Sequence, residues 1–153
     1  MAVDKISGLE KNQEEIFAQI GDSNYKPVHF KAIKRMEAEL FDRFIRNSTA
    51  VISHSGMGTI ESALRYEKPM LVVPRLKKFG EVVNDHQLAI AKRFETSGYL
   101  LAAYDEKDVQ IKITELKTFI PQKRVSTSEA LIHRISNFLS SINKEIYEYS
   151  ARK

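Results

Sequence analysis

A glycine-bearing turn between a short apolar segment and a helix constrains this chain more than any other feature. It lies within Ala50 to Gln87, AVISHSGMGTIESALRYEKPMLVVPRLKKFGEVVNDHQ. The pattern predicts a buried strand over Ala50 to Ser53, a turn through His54 to Gly58, and a helix that opens at Gly58 or Thr59 and runs to Tyr66. A second buried strand, Met70 to Val73, is closed by Pro74, and a basic loop then runs to Asn84, Asp85, His86 and Gln87. A strand that turns through small residues into a helix gathers unpaired backbone N–H groups and the positive end of a helix dipole at one point. Such a point suits an anion such as phosphate.

The rest of the chain follows the same alternation. Met1 to Asn12 reads as a helix with Val3, Ile6 and Leu9 at threefold spacing, and Glu15 to Ile20 as a strand ended by the turn cluster Gly21, Asp22, Ser23 and Asn24. Pro27 to Ile33 reads as a short strand. Met36 to Asn47 is an amphipathic helix with Met36, Leu40, Phe41, Phe44 and Ile45 on one face. Further helices are predicted over Val83 to Thr96, stopped by Gly98, and over Asp105 to Phe119. Tyr99 to Ala102 is a strand between them. Ser126 to Ile146 is the last helix, opened by a capping-box pattern at Ser126 and Glu129.

Strands alternating with helices imply an α/β domain with a mostly parallel sheet covered on both faces. Ligands of such sheets bind beyond the carboxyl ends of the strands. The turn at His54 to Gly58 and the loop Pro74 to Asn84 both lie at such ends and are expected to border one crevice. The organisation expected is one domain over residues 1–143 with a charged, tyrosine-bearing tail over 144–153.

Composition excludes several classes. With 153 residues and 42% hydrophobic content the chain can bury a real core. It has no cysteine, so disulfides and thiolate metal sites are excluded. No apolar run approaches the roughly 20 residues needed to span a bilayer, and the N-terminus lacks the apolar core of a signal peptide. The net charge of +4 reads most simply as a solvated basic surface and also suits an anionic substrate or an acidic membrane surface. Aromatic residues do not interleave with basic ones as a nucleic-acid platform requires, so no nucleic-acid partner is expected.

The turn itself is not a Walker A loop, because no Lys-Ser/Thr pair follows the glycines. It departs from the dinucleotide fingerprint, since Glu61 stands where the third glycine belongs. It is not a nucleophile elbow, because Ser53 stands two residues before Ser55. Ser55 can serve simply as a helix cap. Glu61 can be an ordinary first-turn carboxylate, or can accept hydrogen bonds from sugar hydroxyls beside a phosphate. Arg75, Lys77 and Lys78 can neutralise a diphosphate. Asn84, His86 and Gln87 offer polar groups for sugar hydroxyls, and the bland alternative is a helix start capped by Asn84 or Asp85. His54 and His86 have no third ligand at convincing spacing, and no Asp-x-Asp signature is present, so no metal or other cofactor is expected. His29 and His133 read as structural or solvated. Taken together the residues predict a nucleotide-sugar site.

Three blocks, VISHSGMGTIESAL, KPMLVVPR and KKFGEVVNDHQ, with the upstream segment EEIFAQIGDSNYKP, resemble the C-terminal domain of family 28 glycosyltransferases, the Rossmann-like half of the GT-B fold. The likeness runs from about Met1 to Asp108. It is closest to the single-domain catalytic subunits of the dolichol-linked UDP-GlcNAc transferase and of bacterial exopolysaccharide and capsule transferases. The resemblance implies that Ser55, Gly56, Met57, Gly58 and Thr59 hold the diphosphate of a UDP-sugar donor and that Glu61 binds the ribose. It implies that Gln87, with Asn84 and His86 near it, faces the donor sugar, and that Phe30 to Met36 passes near the uracil. It implies inverting transfer of the sugar to a lipid-linked acceptor by a protein that is cytoplasmic and peripheral to the membrane. A membrane-associated partner subunit supplies the acceptor half. Glu81 and His86 are the candidates for a general base.

The family's first strand and its glycine-rich loop have no counterpart here, and their absence from the gene or the expressed segment is an expectation of the resemblance. A sheet without that strand carries an open edge, which favours a homodimer. The alternative is an accessory nucleotide-sugar-binding module without turnover of its own. A UDP-sugar epimerase of the same fold is disfavoured, because such enzymes carry both halves in one longer chain.

Overall fold

The computed structural model describes residues 2–9 and 15–123. The chain divides after Lys123, into a first unit, Met1–Lys123, and a second, Arg124–Lys153. The predicted last helix and the tail fall in the second unit, outside the described residues.

Helix α1 (Ala2–Leu9) precedes strands β1 (Phe17–Gln19) and β2 (Lys31–Ile33). Helix α2 (Ala38–Asn47) leads to β3 (Val51–Ser53), α3 (Met57–Arg65) and β4 (Met70–Val72). A 3-10 turn at Lys77–Phe79 precedes α4 (His86–Thr96), β5 (Leu101–Ala102) and α5 (Glu106–Leu116). Every strand pairing among the described residues is parallel; helices make the crossovers within β3-β4-β5, and the segment between Gln19 and Lys31 makes the one between β1 and β2. The pairing falls into two sheets, β1-β2 and β3-β4-β5, rather than one continuous sheet.

Strand β4 is the centre of the packing. All three of its residues are buried, and their alternation sends them to opposite faces. Met70 and Val72 pack with Ile60, Ala63 and Leu64 of α3, Ala91 of α4 and Leu100. Leu71 packs with Ile6 of α1 and with Val109 and Leu116 of α5. Helices therefore cover both faces of this sheet, as the sequence pattern implies. Gly98 closes α4 in the left-handed conformation, φ +70°, which a Cβ would strain. The Asp105 carboxylate caps α5 by accepting the Lys107 N–H at 3.3 Å.

Element bounds differ from the sequence expectation where side chains redirect the backbone. Helix α3 begins at Met57, with Gly56 rather than Ser55 as its cap residue. Helix α4 begins at His86 and not at Val83, because Glu81 and Asp85 turn back onto the preceding loop. Strand β5 begins at Leu101 because Tyr99 belongs to the turn after Gly98, its N–H donating to the Phe94 carbonyl at 3.0 Å.

Periodicity gave no sign of Asp4. It is 3% exposed on α1 and accepts hydrogen bonds from Tyr25 Oη at 2.5 Å, His29 N at 2.9 Å and Val28 N at 3.1 Å. The hydrogen bond from Tyr25 leads in holding its carboxyl well below the usual carboxylate range; burial opposes it and the bonds from the His29 and Val28 N–H groups reinforce it. This carboxylate ties α1 to the segment ahead of β2.

Candidate functional site

Strands β3 and β4 run side by side in register, and the Val73 N–H donates to the Ser53 carbonyl at 2.8 Å just past their carboxyl ends. The turn after β3 and the loop after β4 thus leave the sheet from neighbouring strands, as the sequence predicts for a crevice at this end.

The first turn is tight. Gly56 N–H donates to the His54 carbonyl at 2.8 Å, and Gly56 itself is extended, with φ −80° and ψ 128°. The His54 ring folds over this glycine: a Cβ at Gly56 would lie 2.5 Å from His54 Nε2. Burial, with the Arg75 charge adding to it, lowers the His54 pKa and so favours the neutral ring.

Ser55 is fully buried and its hydroxyl has no hydrogen-bond partner. It does not cap α3, which corrects the simpler reading of that residue: no side chain caps the helix. The helix opens with the bond from Ile60 N–H to the Gly56 carbonyl at 3.1 Å. The N–H groups of Met57, Gly58 and Thr59 precede that bond and sit at the positive end of the dipole. A Cβ on Gly58 would meet nothing within 4 Å, so the space beside this residue is open. A buried orphan hydroxyl is uncommon and costly, and here it adjoins an uncapped helix end. Glu61 lies in the second turn and not the first, because α3 starts earlier than expected. It is exposed and pairs with Arg65 at 3.5 Å.

The second loop is braced on itself. Three consecutive backbone N–H groups are each taken by a side chain from further along. Arg75 N donates to Gln87 Oε1 at 3.1 Å, Leu76 N to Glu81 Oε2 at 3.1 Å, and Lys77 N to Asp85 Oδ1 at 2.8 Å. Gln87 is 6% exposed. Asn84 Oδ1 accepts from the His86 N–H at 3.2 Å and also contacts His86 Nδ1. Both sequence candidates for a base, Glu81 and His86, therefore hold hydrogen bonds within this loop. Among the described residues no cluster of His, Asp and Glu could hold a metal ion.

Sequence reasoning placed both loops at one end of the sheet. It missed the contact of His54 with Gly56 and the charge of Arg75 beside His54, although a histidine two residues before a glycine in a tight turn is the available signal for the first.

The fold and this end of the sheet define a parallel α/β domain in which the uncapped N-terminus of α3 opens beside the carboxyl ends of β3 and β4. The chain matches the glycosyltransferase family 28 C-terminal domain over residues 1–146, and it belongs to that family. It is 36% identical over 83 residues to the UDP-N-acetylglucosamine--N-acetylmuramyl-(pentapeptide) pyrophosphoryl-undecaprenol N-acetylglucosamine transferase of Prochlorococcus marinus (strain MIT 9312), a match covering 52% of this chain and 22% of that protein. It is 37% identical over 62 residues to UDP-N-acetylglucosamine transferase subunit ALG13 of Eremothecium gossypii, covering 40% of this chain and 29% of the relative. The matches thus span about a quarter of those relatives' length. The solved structure of Spinosyn Forosaminyltransferase SpnP shares the fold, with a TM-score of 0.51 and 18% identity over 67% of this chain and 25% of that one. No helix among the described residues is long and apolar enough to cross a membrane.

Proposed function

We propose that this chain is the donor-binding part of an inverting glycosyltransferase that moves a sugar from a UDP-sugar to a lipid-linked acceptor in polysaccharide or glycolipid synthesis. The observation that carries the reading is the buried, unpartnered Ser55 hydroxyl beside the uncapped N-terminus of α3, in a chain of this family. The N–H groups of Met57, Gly58 and Thr59 face the diphosphate, with Ser55 and Gly56 shaping the turn. As the sugar–phosphate bond breaks, negative charge grows on the leaving UDP. Fixed backbone dipoles, with the Arg75 charge beside the turn, stabilise it. Glu61 accepts from the ribose hydroxyls, and Asn84, His86 and Gln87 lie on the side of the donor sugar.

A membrane-associated partner subunit supplies the acceptor half and holds the chain at the cytoplasmic face of the membrane. The relative named as a transferase subunit supports that division. Glu81 and His86 remain the candidates for a general base within this chain, each holding one side-chain contact in the loop, through Oε2 and Nδ1, and the partner half is the other source. That engagement equally favours a second reading, a nucleotide-sugar-binding module without turnover.

Titration calorimetry with UDP and then a panel of UDP-sugars tests the proposal. Binding of UDP with a preference for one sugar is expected, and absence of binding by any of them would overturn it. Glu61→Ala should weaken UDP by about 1–3 kcal/mol through the lost ribose hydrogen bonds, and an unchanged dissociation constant would remove Glu61 from the site. Turnover with the partner half present separates the enzyme from the binding module.

A further inference from the structure

The tip of the loop after β4 presents apolar and cationic side chains together, on a braced support. Phe79 is 68% exposed and Val83 88% exposed, and Lys77 and Lys78 beside them are exposed. The Lys78 ammonium lies 4.8 Å from the centroid of the Phe79 ring, so a cation and an exposed aromatic ring stand together at the tip. The loop's two carboxylates are turned onto its own backbone: Glu81 accepts from Leu76 N and Asp85 from Lys77 N. Gly80, at φ +71°, closes the 3-10 turn beneath Phe79 in a conformation that side chains rarely adopt. The three hydrogen bonds at residues 75–77 hold the base of the loop while its apolar tip stays in solvent.

We propose that this tip, Lys77 to Val83, is a membrane-docking element, with Phe79 and Val83 entering the interface of a bilayer and Lys77 and Lys78 meeting anionic headgroups. The apolar area favours a bilayer over a protein partner. One aromatic and one valine side chain bury at most roughly 300 Å², well short of the roughly 800 Å² per partner of a stable protein interface. A small apolar insertion backed by cations is what a reversible contact with an anionic bilayer uses. The base of the same loop carries Arg75 and leads to Asn84, His86 and Gln87. Docking therefore brings the nucleotide-sugar site proposed above to the surface that holds lipid-linked acceptors. The docking chemistry does not depend on that reading.

The test uses the full chain without nucleotide. It is sedimented with vesicles of phosphatidylcholine alone and of phosphatidylcholine with one third phosphatidylglycerol. Binding to the anionic vesicles should exceed binding to the neutral ones by about tenfold or more, and either Phe79→Ser with Val83→Ser or Lys77→Glu with Lys78→Glu should reduce it by a similar factor. Lys92→Glu and Ile111→Ser, exposed positions on α4 and α5, serve as controls and should leave it unchanged. The chain has no tryptophan, so Phe79→Trp adds a single reporter whose emission should shift to the blue on the anionic vesicles. Failure of the chain to bind, equal binding to both vesicles, or equal loss in the control variants would overturn the proposal, as would an unmoved emission from the Phe79→Trp variant. Because nucleotide is absent, these outcomes are independent of UDP titration: either proposal can fail while the other stands.

Discussion

Gln87 Oε1 accepts the backbone N–H of Arg75 at 3.1 Å, joining the first turn of α4 to the loop that leaves β4. Gln87 is buried, whereas Arg75 is exposed and water can reach its N–H once the amide is gone. Gln87→Ala should lower stability by about 0.5–1.5 kcal/mol, the net worth of one hydrogen bond. Urea unfolding measures this directly, and an unchanged midpoint would mean that the bond contributes nothing. The same variant should spare UDP and weaken the full UDP-sugar. Equal losses for both ligands would place Gln87 in the scaffold alone.

Gly58 separates stability from binding. A Cβ there meets nothing within 4 Å, and glycine inside a helix costs roughly 0.5–1 kcal/mol relative to alanine. Gly58→Ala should therefore raise the melting temperature. It should also weaken UDP, because the methyl group stands where a diphosphate approaches the helix N–H groups. Unchanged UDP affinity in a stabilised variant would move the phosphate away from α3.

Gly56 and His54 should be coupled. A Cβ on residue 56 would lie 2.5 Å from His54 Nε2, so Gly56→Ala must displace the ring. In a double-mutant cycle the Gly56→Ala substitution should cost less when His54 is already alanine, with a coupling of about 0.5–3 kcal/mol. Additive losses would show that the ring moves aside freely.

Asp4 should give the protein a visible acid dependence. Its folded pKa is depressed, chiefly by the Tyr25 hydrogen bond. A carboxyl of this kind stabilises fully above its unfolded value of about 3.9, and the contribution is lost as pH falls through the folded value. Asp4→Asn should unfold at lower urea than the unaltered chain at neutral pH, and the gap should narrow steadily below about pH 4. A gap independent of pH would mean that the charge on Asp4 does not matter.

The element order was legible in the sequence because it is a local property. Apolar runs such as Met70 to Val72, bounded by Pro69 and Pro74, can form only short buried strands, and the turn residues Gly21 and Gly98 interrupt the chain wherever they stand. The strand–turn–helix passage after β3 was legible for the same reason, since strand, glycine turn and helix are contiguous. Helix starts were less so. At both α3 and α4 the cap depends on where one side chain turns, and Ser55 turned inward while Asp85 turned back to Lys77.

By itself the sequence determined an α/β domain of parallel strands with helices on both faces and a glycine turn leading from β3 into α3, because periodicity and turn chemistry act over a few residues. The tertiary structure alone decided the contacts that give individual side chains their roles. Asp4 reaches residues 21 to 25 positions away, and Gln87 reaches a backbone group 12 positions back. Neither partner is encoded in local spacing. Each follows from a helix packed against a loop distant in sequence, and the pairing of β3 with β4 likewise sets Arg75 beside His54.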